Sequence, residues 1–163
     1  MAYMQDAVYR DEHGPIDLSR DHEGIQWLRQ NVQGTPVIVE GRAPLYRWGG
    51  RFSIYTGLPT IIGWDWHQTQ QRGELAFLVA QRLKDVDAFY SAESVVEAQS
   101  FLRVHDVSYV IVGGLERNYY PASGLAKFET GLGGVLDVVF ANDGLTIYRV
   151  DESALTPALA GLP

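Results

Sequence analysis

The sequence contains no cysteine, and this absence excludes disulfide bonds, thiolate catalysis and every zinc site built on cysteine. Positive charge is also scarce, since 13 Lys and Arg residues stand against 20 Asp and Glu residues and leave a net charge of −7. No run of Lys or Arg is long enough to follow a phosphate backbone. A nucleic acid is therefore not predicted as a partner.

Long apolar runs are missing as well. No stretch approaches the roughly 20 uncharged, apolar residues that a transmembrane helix needs, and residues 1–20 lack the apolar core of a signal peptide. The chain is therefore predicted to be soluble. We interpret residues 1–20 as a polar lead-in, residues 21–151 as a single α/β domain and residues 152–163 as a flexible tail, with both ends compatible with excision from a longer protein.

The common catalytic and cofactor motifs are absent too. The sequence has no Gly-x-Gly-x-x-Gly pattern, no Walker A loop and no Gly-x-Ser-x-Gly elbow, and it contains only four His residues. Gly113-Gly114 comes nearest to a glycine-rich loop, but Leu115-Glu116-Arg117 follows it. These absences disfavour dinucleotide binding, P-loop chemistry and a hydrolase triad, and no cofactor is predicted.

Aromatic and apolar side chains, by contrast, are abundant. Nine Tyr, six Phe and four Trp contribute to an apolar share of 46%, which is typical of a folded globular protein with one core. Apolar residues recur at helical spacing over residues 25–32, and the apolar run 37–39 follows, which predicts a helix and then a buried strand. Short runs at 51–55 and 60–64, on either side of Gly57-Leu58-Pro59, predict two further strands.

The second half of the chain repeats the order of helix and strand. A long helix is predicted over residues 74–90, and a second helix begins at the capping-box pair Ser94 and Glu97 and precedes a strand at 109–112. A loop and a short helix come next.

The last part of the domain predicts a β-hairpin, with strands at 135–140 and 145–150 around Asn142-Asp143-Gly144. Repeated helix-to-strand units that end in a hairpin predict an α/β fold, a layered sandwich with a mixed, mainly parallel sheet.

Three polar segments follow the predicted strands: Glu40, Gly63–His67 and Gly113–Arg117. Parallel α/β sheets bind ligands outside the carboxyl ends of their strands, so we expect these segments to converge there. Trp and Tyr rings stack on sugar rings while charged side chains bond to the ring hydroxyls, which makes a carbohydrate-binding surface chemically sensible. Packing in the core is nevertheless the favoured use of the same aromatics, because large aromatic side chains are mostly buried.

The charged residues of these segments also have alternative interpretations. Asp65 and His67, with Glu40, would suit a divalent metal, but the favoured interpretation has His67 bonded to a loop carbonyl and Asp65 capping a helix, and no metal is predicted. Glu40 and Glu116 would serve as an acid/base pair if they lay at a suitable separation.

Arginines raise a similar choice. Arg51, Arg72 and Arg117 would clamp a phosphate or carboxylate, or they would pair with Glu40, Asp65 or Glu116 as internal struts. The internal struts are favoured because polar groups near a buried strand end need partners.

Six segments carry a family resemblance: IQWLRQNVQGTPVIVEG, RFSIYTGLPTIIGWDWHQTQQRG, RLKDVDAFYSA, HDVSYVIVGGLERNYY, GLAKFE and VVFANDGLTIYRV. Together they resemble the C-terminal soluble part of the YYY membrane proteins, which are uncharacterised multi-pass proteins of bacteria and archaea. The match spans residues 24–150, and its most specific element runs from the Thr-Gly-Leu-Pro-Thr block at 56–60 to Trp64, His67 and Arg72. Gln replaces the acidic residue that the family has near His67, which disfavours metal or acid/base chemistry there.

The resemblance implies a parent protein similar to the membrane-embedded glycosyltransferases that use lipid-linked sugar donors, with this domain on the extracytoplasmic face. Those enzymes carry their catalytic acid between membrane helices, so the excised domain is not expected to be catalytic. The implied partners are the transmembrane part of the parent and a glycan or lipid-linked sugar.

The predicted ligand-binding rim, taken from the residues and the resemblance together, comprises Glu40, Arg51, Trp64, Asp65, Trp66, His67, Arg72, Glu116, Arg117 and Tyr120. Three functions remain open. The first is a noncatalytic accessory domain of a membrane protein, the second is a self-contained metal- or carboxylate-dependent hydrolase or transferase, and the third is a purely structural assembly domain.

Overall fold

A computed structural model of the protein describes residues 1–130, 132 and 134–155. Strands β1 (Val8–Asp11) and β2 (Gly14–Asp17) pair as a small antiparallel hairpin. This hairpin lies in the segment predicted as a polar lead-in, where Ile16 is also buried. The domain boundaries at 21 and 151 stay predictions, and residues 156–163 of the predicted flexible tail lie outside the described part.

The main sheet has four strands in the order β3-β4-β6-β5. They are β3 (Val37–Val39), β4 (Val107–Val112), β5 (Leu136–Ala141) and β6 (Thr146–Val150). The predicted α/β fold, mixed sheet and C-terminal hairpin are confirmed. The expectation of mainly parallel pairing is wrong for the described strands, because only β3 and β4 are parallel and the hairpin returns antiparallel beside β4.

Seven α-helices surround this sheet in the described residues. They are α1 (Leu18–Asn31), α2 (Arg51–Thr56), α3 (Asp65–Arg72), α4 (Ala76–Ser91), α5 (Val95–Val104), α6 (Gly114–Tyr119) and α7 (Ala122–Thr130). The predicted helix over 74–90 is confirmed by α4. The predicted capping of the next helix is confirmed as well, since the Ser94 hydroxyl accepts a hydrogen bond of 3.3 Å from the backbone N–H of Glu97.

Two predicted strands are wrong. Residues 51–55 belong to helix α2, because the carboxylate of Glu40 accepts hydrogen bonds from the first backbone N–H groups of that helix, those of Phe52 and Ser53. In the run 60–64 only Thr60 pairs, through a single parallel bridge to Ile38. Strand β3 has only three residues, so it offers little edge for a longer partner.

Two apolar cores lie on opposite faces of the sheet, which confirms the layered arrangement. Along β4, Val110 faces a core formed with helices α4, α5 and α7, and its neighbour Ile111 faces a core formed with α1, α2 and α6. This alternation is the normal period of a strand. No helix in the described part of the chain is long and apolar enough to cross a bilayer.

Candidate functional site

A buried cluster of charged side chains lies where β3, α1, α2 and α6 meet. The guanidinium of Arg51 is 1% exposed and lies 2.7 Å from Asp21, 2.9 Å from Glu116 and 3.6 Å from Glu40. Asp21 also accepts a hydrogen bond of 3.3 Å from the indole N–H of Trp48. We call these four residues, Asp21, Glu40, Arg51 and Glu116, the Arg51 cluster.

Two carboxylates of this cluster accept hydrogen bonds from backbone N–H groups in addition to their contacts with Arg51. Glu40 accepts from Phe52 N–H at 3.0 Å and from Ser53 N–H at 2.8 Å, at the start of α2. Glu116 accepts from Gly41 N–H at 2.7 Å and from Gly113 N–H at 2.8 Å. The cluster therefore fixes the chain directly after β3, where the loop of residues 41–50 begins.

Burial and the charge of Arg51 compete in setting the pKa values of the cluster. Burial raises the pKa of Glu40 to about 7 and also raises the pKa of Asp21. Burial acts on Glu116 in the same direction, but the charge and hydrogen bonds of Arg51 outweigh it, so the pKa of Glu116 is lowered. One guanidinium faces three carboxylates, and a protonated Glu40 reduces the excess of negative charge.

These contacts show that Arg51 is an internal strut, as the favoured interpretation predicts. Glu40 and Glu116 are both buried and bonded to backbone N–H groups, so they do not face a ligand as an acid/base pair. The grouping of Glu40 with Asp65 and His67 on a metal does not form either. Among the described residues, no group of three or more Asp, Glu or His side chains is placed to hold a metal ion.

A second group of predicted rim residues lines an open cleft of about 200 Å³. We call it the Trp64 cleft. It lies between the loop after β3 and the start of α3, and its walls are Arg42, Ala43, Pro44, Leu45, Tyr46, Arg47, Gly49, Gly50, Ile62, Gly63, Trp64, Asp65 and His67.

The aromatic side chains of the cleft are strongly exposed. Trp64 is 56% exposed, and its ring centroid lies 5.6 Å from that of His67. Tyr46 is 89% exposed, and its backbone has a φ of 61°, which is uncommon for a residue with a side chain. Exposed rings in a concave site are free to stack on a ligand.

A hydrogen-bonded network supports one wall of the cleft. Arg42 pairs with Asp87 at 2.6 Å, and the backbone N–H of Arg42 donates to the hydroxyl of Tyr120 at 3.1 Å. That hydroxyl donates in turn to Asp87 at 3.2 Å. Burial raises the pKa of Tyr120, so its hydroxyl stays protonated and able to donate. Tyr120 thus supports a wall of the Trp64 cleft through these hydrogen bonds without lining the cleft itself.

The remaining predicted residues fall elsewhere. Trp66 and Arg72 are exposed on α3 but do not line the cleft. Arg117 donates to the carbonyls of Val112 at 3.1 Å and Gly144 at 2.8 Å, so it links α6 to β4 and to the turn of the β5–β6 hairpin. Asp65 lies in the first turn of α3 without capping it, and among the described residues no carbonyl accepts from the ring of His67. Those two expectations are wrong.

Sequence reasoning missed Asp21 and the Arg42–Asp87 pair. Asp21 lies four and seven residues before Ile25 and Leu28, on the buried face of α1, and this spacing could have identified it as a buried acid. Nothing local in the sequence joins Arg42 to Asp87, because they are 45 residues apart.

Another groove, of about 350 Å³, lies between α4 and α5 and is lined by Phe89, Phe101 and His105 among others. It contains none of the predicted rim residues. The ring of His105 packs against Phe101, with centroids 4.6 Å apart, and burial lowers the pKa of His105. We regard the Trp64 cleft as the candidate site because exposed rings and charged groups meet there.

Comparison with known proteins places the fold. No protein-family model and no curated protein matches the chain. A solved structure that it resembles is the C-terminal globular domain of an oligosaccharyltransferase from Archaeoglobus fulgidus. The TM-score is 0.52 at 13% sequence identity, and the match covers 79% of this chain and 95% of that domain. At this level of identity the likeness shows a shared fold.

Proposed function

We propose that the chain is an extracytoplasmic accessory domain of a multi-pass membrane protein resembling glycosyltransferases, and that its Trp64 cleft binds part of a glycan or of the acceptor. The observation that carries this proposal is the cleft itself. It combines exposed rings of Trp64 and Tyr46 with the charged groups of Arg47 and Asp65 and the imidazole of His67. The fold shared with the C-terminal globular domain of an oligosaccharyltransferase and the resemblance to the YYY membrane proteins support the same setting.

The chemistry of the cleft suits a sugar. A pyranose ring has an apolar face of C–H groups that packs on an indole or phenol ring, while its hydroxyls need both donors and acceptors. Trp64 and Tyr46 supply the flat faces, Arg47 donates and Asp65 accepts. Arg47 is itself held by Glu12 at 2.8 Å, so the wall it forms is partly fixed before a ligand arrives.

The proposed role is binding and not catalysis. The buried carboxylates Glu40 and Glu116 bond to backbone N–H groups and to Arg51 and are inaccessible to a substrate. We assign the chemical step to the transmembrane part of the proposed parent, which is also the proposed docking partner. Exposed apolar side chains at the start of α4, Phe77 at 64% and Leu78 at 41%, support a docking face.

Trp64→Ala tests the binding role. We expect this change to weaken the binding of simple sugars to the chain about fivefold to tenfold, because the stacked indole contributes about 1 to 1.4 kcal/mol. Isothermal titration calorimetry with mannose and N-acetylglucosamine measures the effect.

Trp66→Ala is the matched control, since Trp66 is similarly exposed but lies outside the cleft. Equal loss of affinity in both variants, or no effect of Trp64→Ala on a sugar that binds, would contradict the role of the cleft.

A further inference from the structure

The Trp64 cleft has a neighbouring cleft at Arg42 and Pro44. These two residues also line a second cleft of about 380 Å³ on their far side, which we call the His13 cleft. The other walls of that cleft come from His13, Asp87, Ser91, Tyr119 and Tyr120. Of the rim residues predicted from the sequence, Tyr120 alone lines the His13 cleft.

The Trp64 cleft also has a second neighbouring cleft. A third cleft, of about 240 Å³, shares Gly50, Gly63, Trp64 and His67 with it. Three clefts are thus neighbours that share lining residues. The Trp64 cleft alone is smaller than the roughly 300–1,000 Å³ of typical ligand pockets, so an occupant of ordinary size would extend into its neighbours.

The His13 cleft has its own ring faces and polar groups. The exposed ring of His13 lies over Tyr119, with centroids 4.1 Å apart and planes 30° apart. The hydroxyl of Tyr119 donates to Asp11 at 2.5 Å, which fixes the ring pair on the β1–β2 hairpin. This arrangement presents a flat imidazole face in the same cleft as the carboxylate of Asp87.

The Arg42–Asp87 pair leaves donors free between the two clefts. Arg42 binds Asp87 through Nε and Nη2, at distances of 2.6 to 2.8 Å. Among the residues that the structure describes, none accepts a hydrogen bond from Nη1 of Arg42. A fixed guanidinium with free N–H groups is suited to bond the hydroxyls or the ring oxygen of a sugar.

We propose that the Trp64 and His13 clefts are successive subsites of one groove that binds an oligosaccharide of at least two sugar rings. One ring stacks on Trp64, the chain passes over Arg42 and Pro44, and the next ring packs against His13 beside Asp87. This inference rests on the proposed function, because it assumes that the Trp64 cleft binds sugar. It adds the length of the ligand and a second set of contacts.

The test is a titration of the whole chain with two homologous series, α-linked mannose and β-linked N-acetylglucosamine, each from one to four residues. We expect the affinity for at least one series to rise about tenfold or more from the monosaccharide to the trisaccharide. His13→Ala and Asp87→Asn should lower the trisaccharide affinity at least fivefold more than the monosaccharide affinity. His13 lies on an exposed turn, so its variant is expected to fold normally.

Asp137→Asn is the matched control for Asp87→Asn. Asp137 pairs with Arg149 at 3.0 Å on the exposed surface of β5 and β6, outside the groove. This variant should bind every member of both series like the unchanged chain.

The possible failures of the two proposals are distinguishable. An affinity that does not change with length, or a gain with length that survives both His13→Ala and Asp87→Asn, overturns the two-subsite groove while Trp64→Ala still tests the first cleft. No saturable binding of any member overturns both proposals.

Discussion

At the scale of single residues, Arg51 is the cation that balances the buried carboxylates of this protein. It is one of the largest fully buried side chains, and it faces three buried carboxylates from helix α1, the residue after β3 and helix α6. Its pKa is raised well above the ordinary value, since the attraction of Asp21 and Glu116 exceeds the effect of burial. Removing the cation would leave the carboxylates buried without a counter-charge.

Arg51→Met should therefore lower the free energy of unfolding by about 3–5 kcal/mol, the range seen when one partner of a buried ion pair is removed. Urea denaturation measures the loss. Arg149→Met is the control, because Arg149 forms an exposed pair with Asp137 and should cost about 1 kcal/mol or less. Losses of similar, small size in the two variants would contradict the assigned role of Arg51.

The pKa of Glu40 predicts a pH dependence. Its value is raised from 4.5 to about 7 in the folded protein, so the folded state favours protonated Glu40. The resulting stabilisation is fully present below pH 4.5 and is lost as the pH rises to about 7. The lowered pKa of Glu116 acts in the opposite sense, with stability lost as the pH falls through its folded-state value.

Glu40→Gln should remove the first of these effects. The free energy of unfolding of the unchanged chain should fall, relative to the variant, by up to about 3 kcal/mol between pH 4.5 and 7. Urea denaturation of both proteins across this range tests the difference in slope. Parallel curves would show that Glu40 does not titrate in that range.

Sequence reasoning predicted the chemistry of single residues unevenly. It identified Arg51 as a strut, because a buried strand end needs its polar groups satisfied. It could not separate Glu40 and Glu116 from the exposed Trp64 and His67, since all follow predicted strands. The two carboxylates are buried and the two rings are exposed. This difference depends on helices α1 and α2, which approach from distant parts of the chain.

At the scale of elements, the long periodic helices were predictable and the short elements were not. Helix α4 buries Val79, Val86 and Phe89 along one stripe, and this spacing is visible in the sequence. Helix α2 has six residues rich in β-strand formers, and its start is stabilised by Glu40 at the end of β3. A stabilising group 12 residues away leaves no local signal.

The contact between α4 and α7 depends on a glycine. A Cβ on Gly124 would lie 2.4 Å from the backbone oxygen of Ser91 and 2.5 Å from that of Tyr90, at the end of α4. Gly124→Ala should therefore force the helices apart and lower the free energy of unfolding by about 1–3 kcal/mol, although Ala is the better helix former.

Gly63→Ala is the matched control for this contact. A Cβ there meets only the flexible side chain of Gln68, at 3.3 Å, and should cost about 0.5 kcal/mol or less. Thermal and urea denaturation compare the two variants. A Gly124→Ala protein as stable as the Gly63→Ala protein would contradict the close approach of α7 to α4.

At the scale of the whole molecule, the chain combines a buried cluster of charged residues with an exposed cleft lined by aromatic side chains. The sequence predicted the α/β class and the terminal hairpin because helix and strand periods alternate along the chain. It could not predict that the β1–β2 hairpin brings His13 beside Arg42 and Asp87, because that approach is set by the packing of α6 on the hairpin. Half of the proposed groove depends on this tertiary contact.

An NMR titration of the isotopically labelled chain with the mannose and N-acetylglucosamine trisaccharides tests sugar binding at the Trp64 cleft directly. We expect saturable shifts of the indole N–H of Trp64 and of the backbone of Gly49 and Gly63, with the indole signals of Trp27 and Trp66 unchanged. The absence of any saturable shift, or shifts confined to the groove between α4 and α5, would contradict the assignment of the Trp64 cleft as a sugar-binding site.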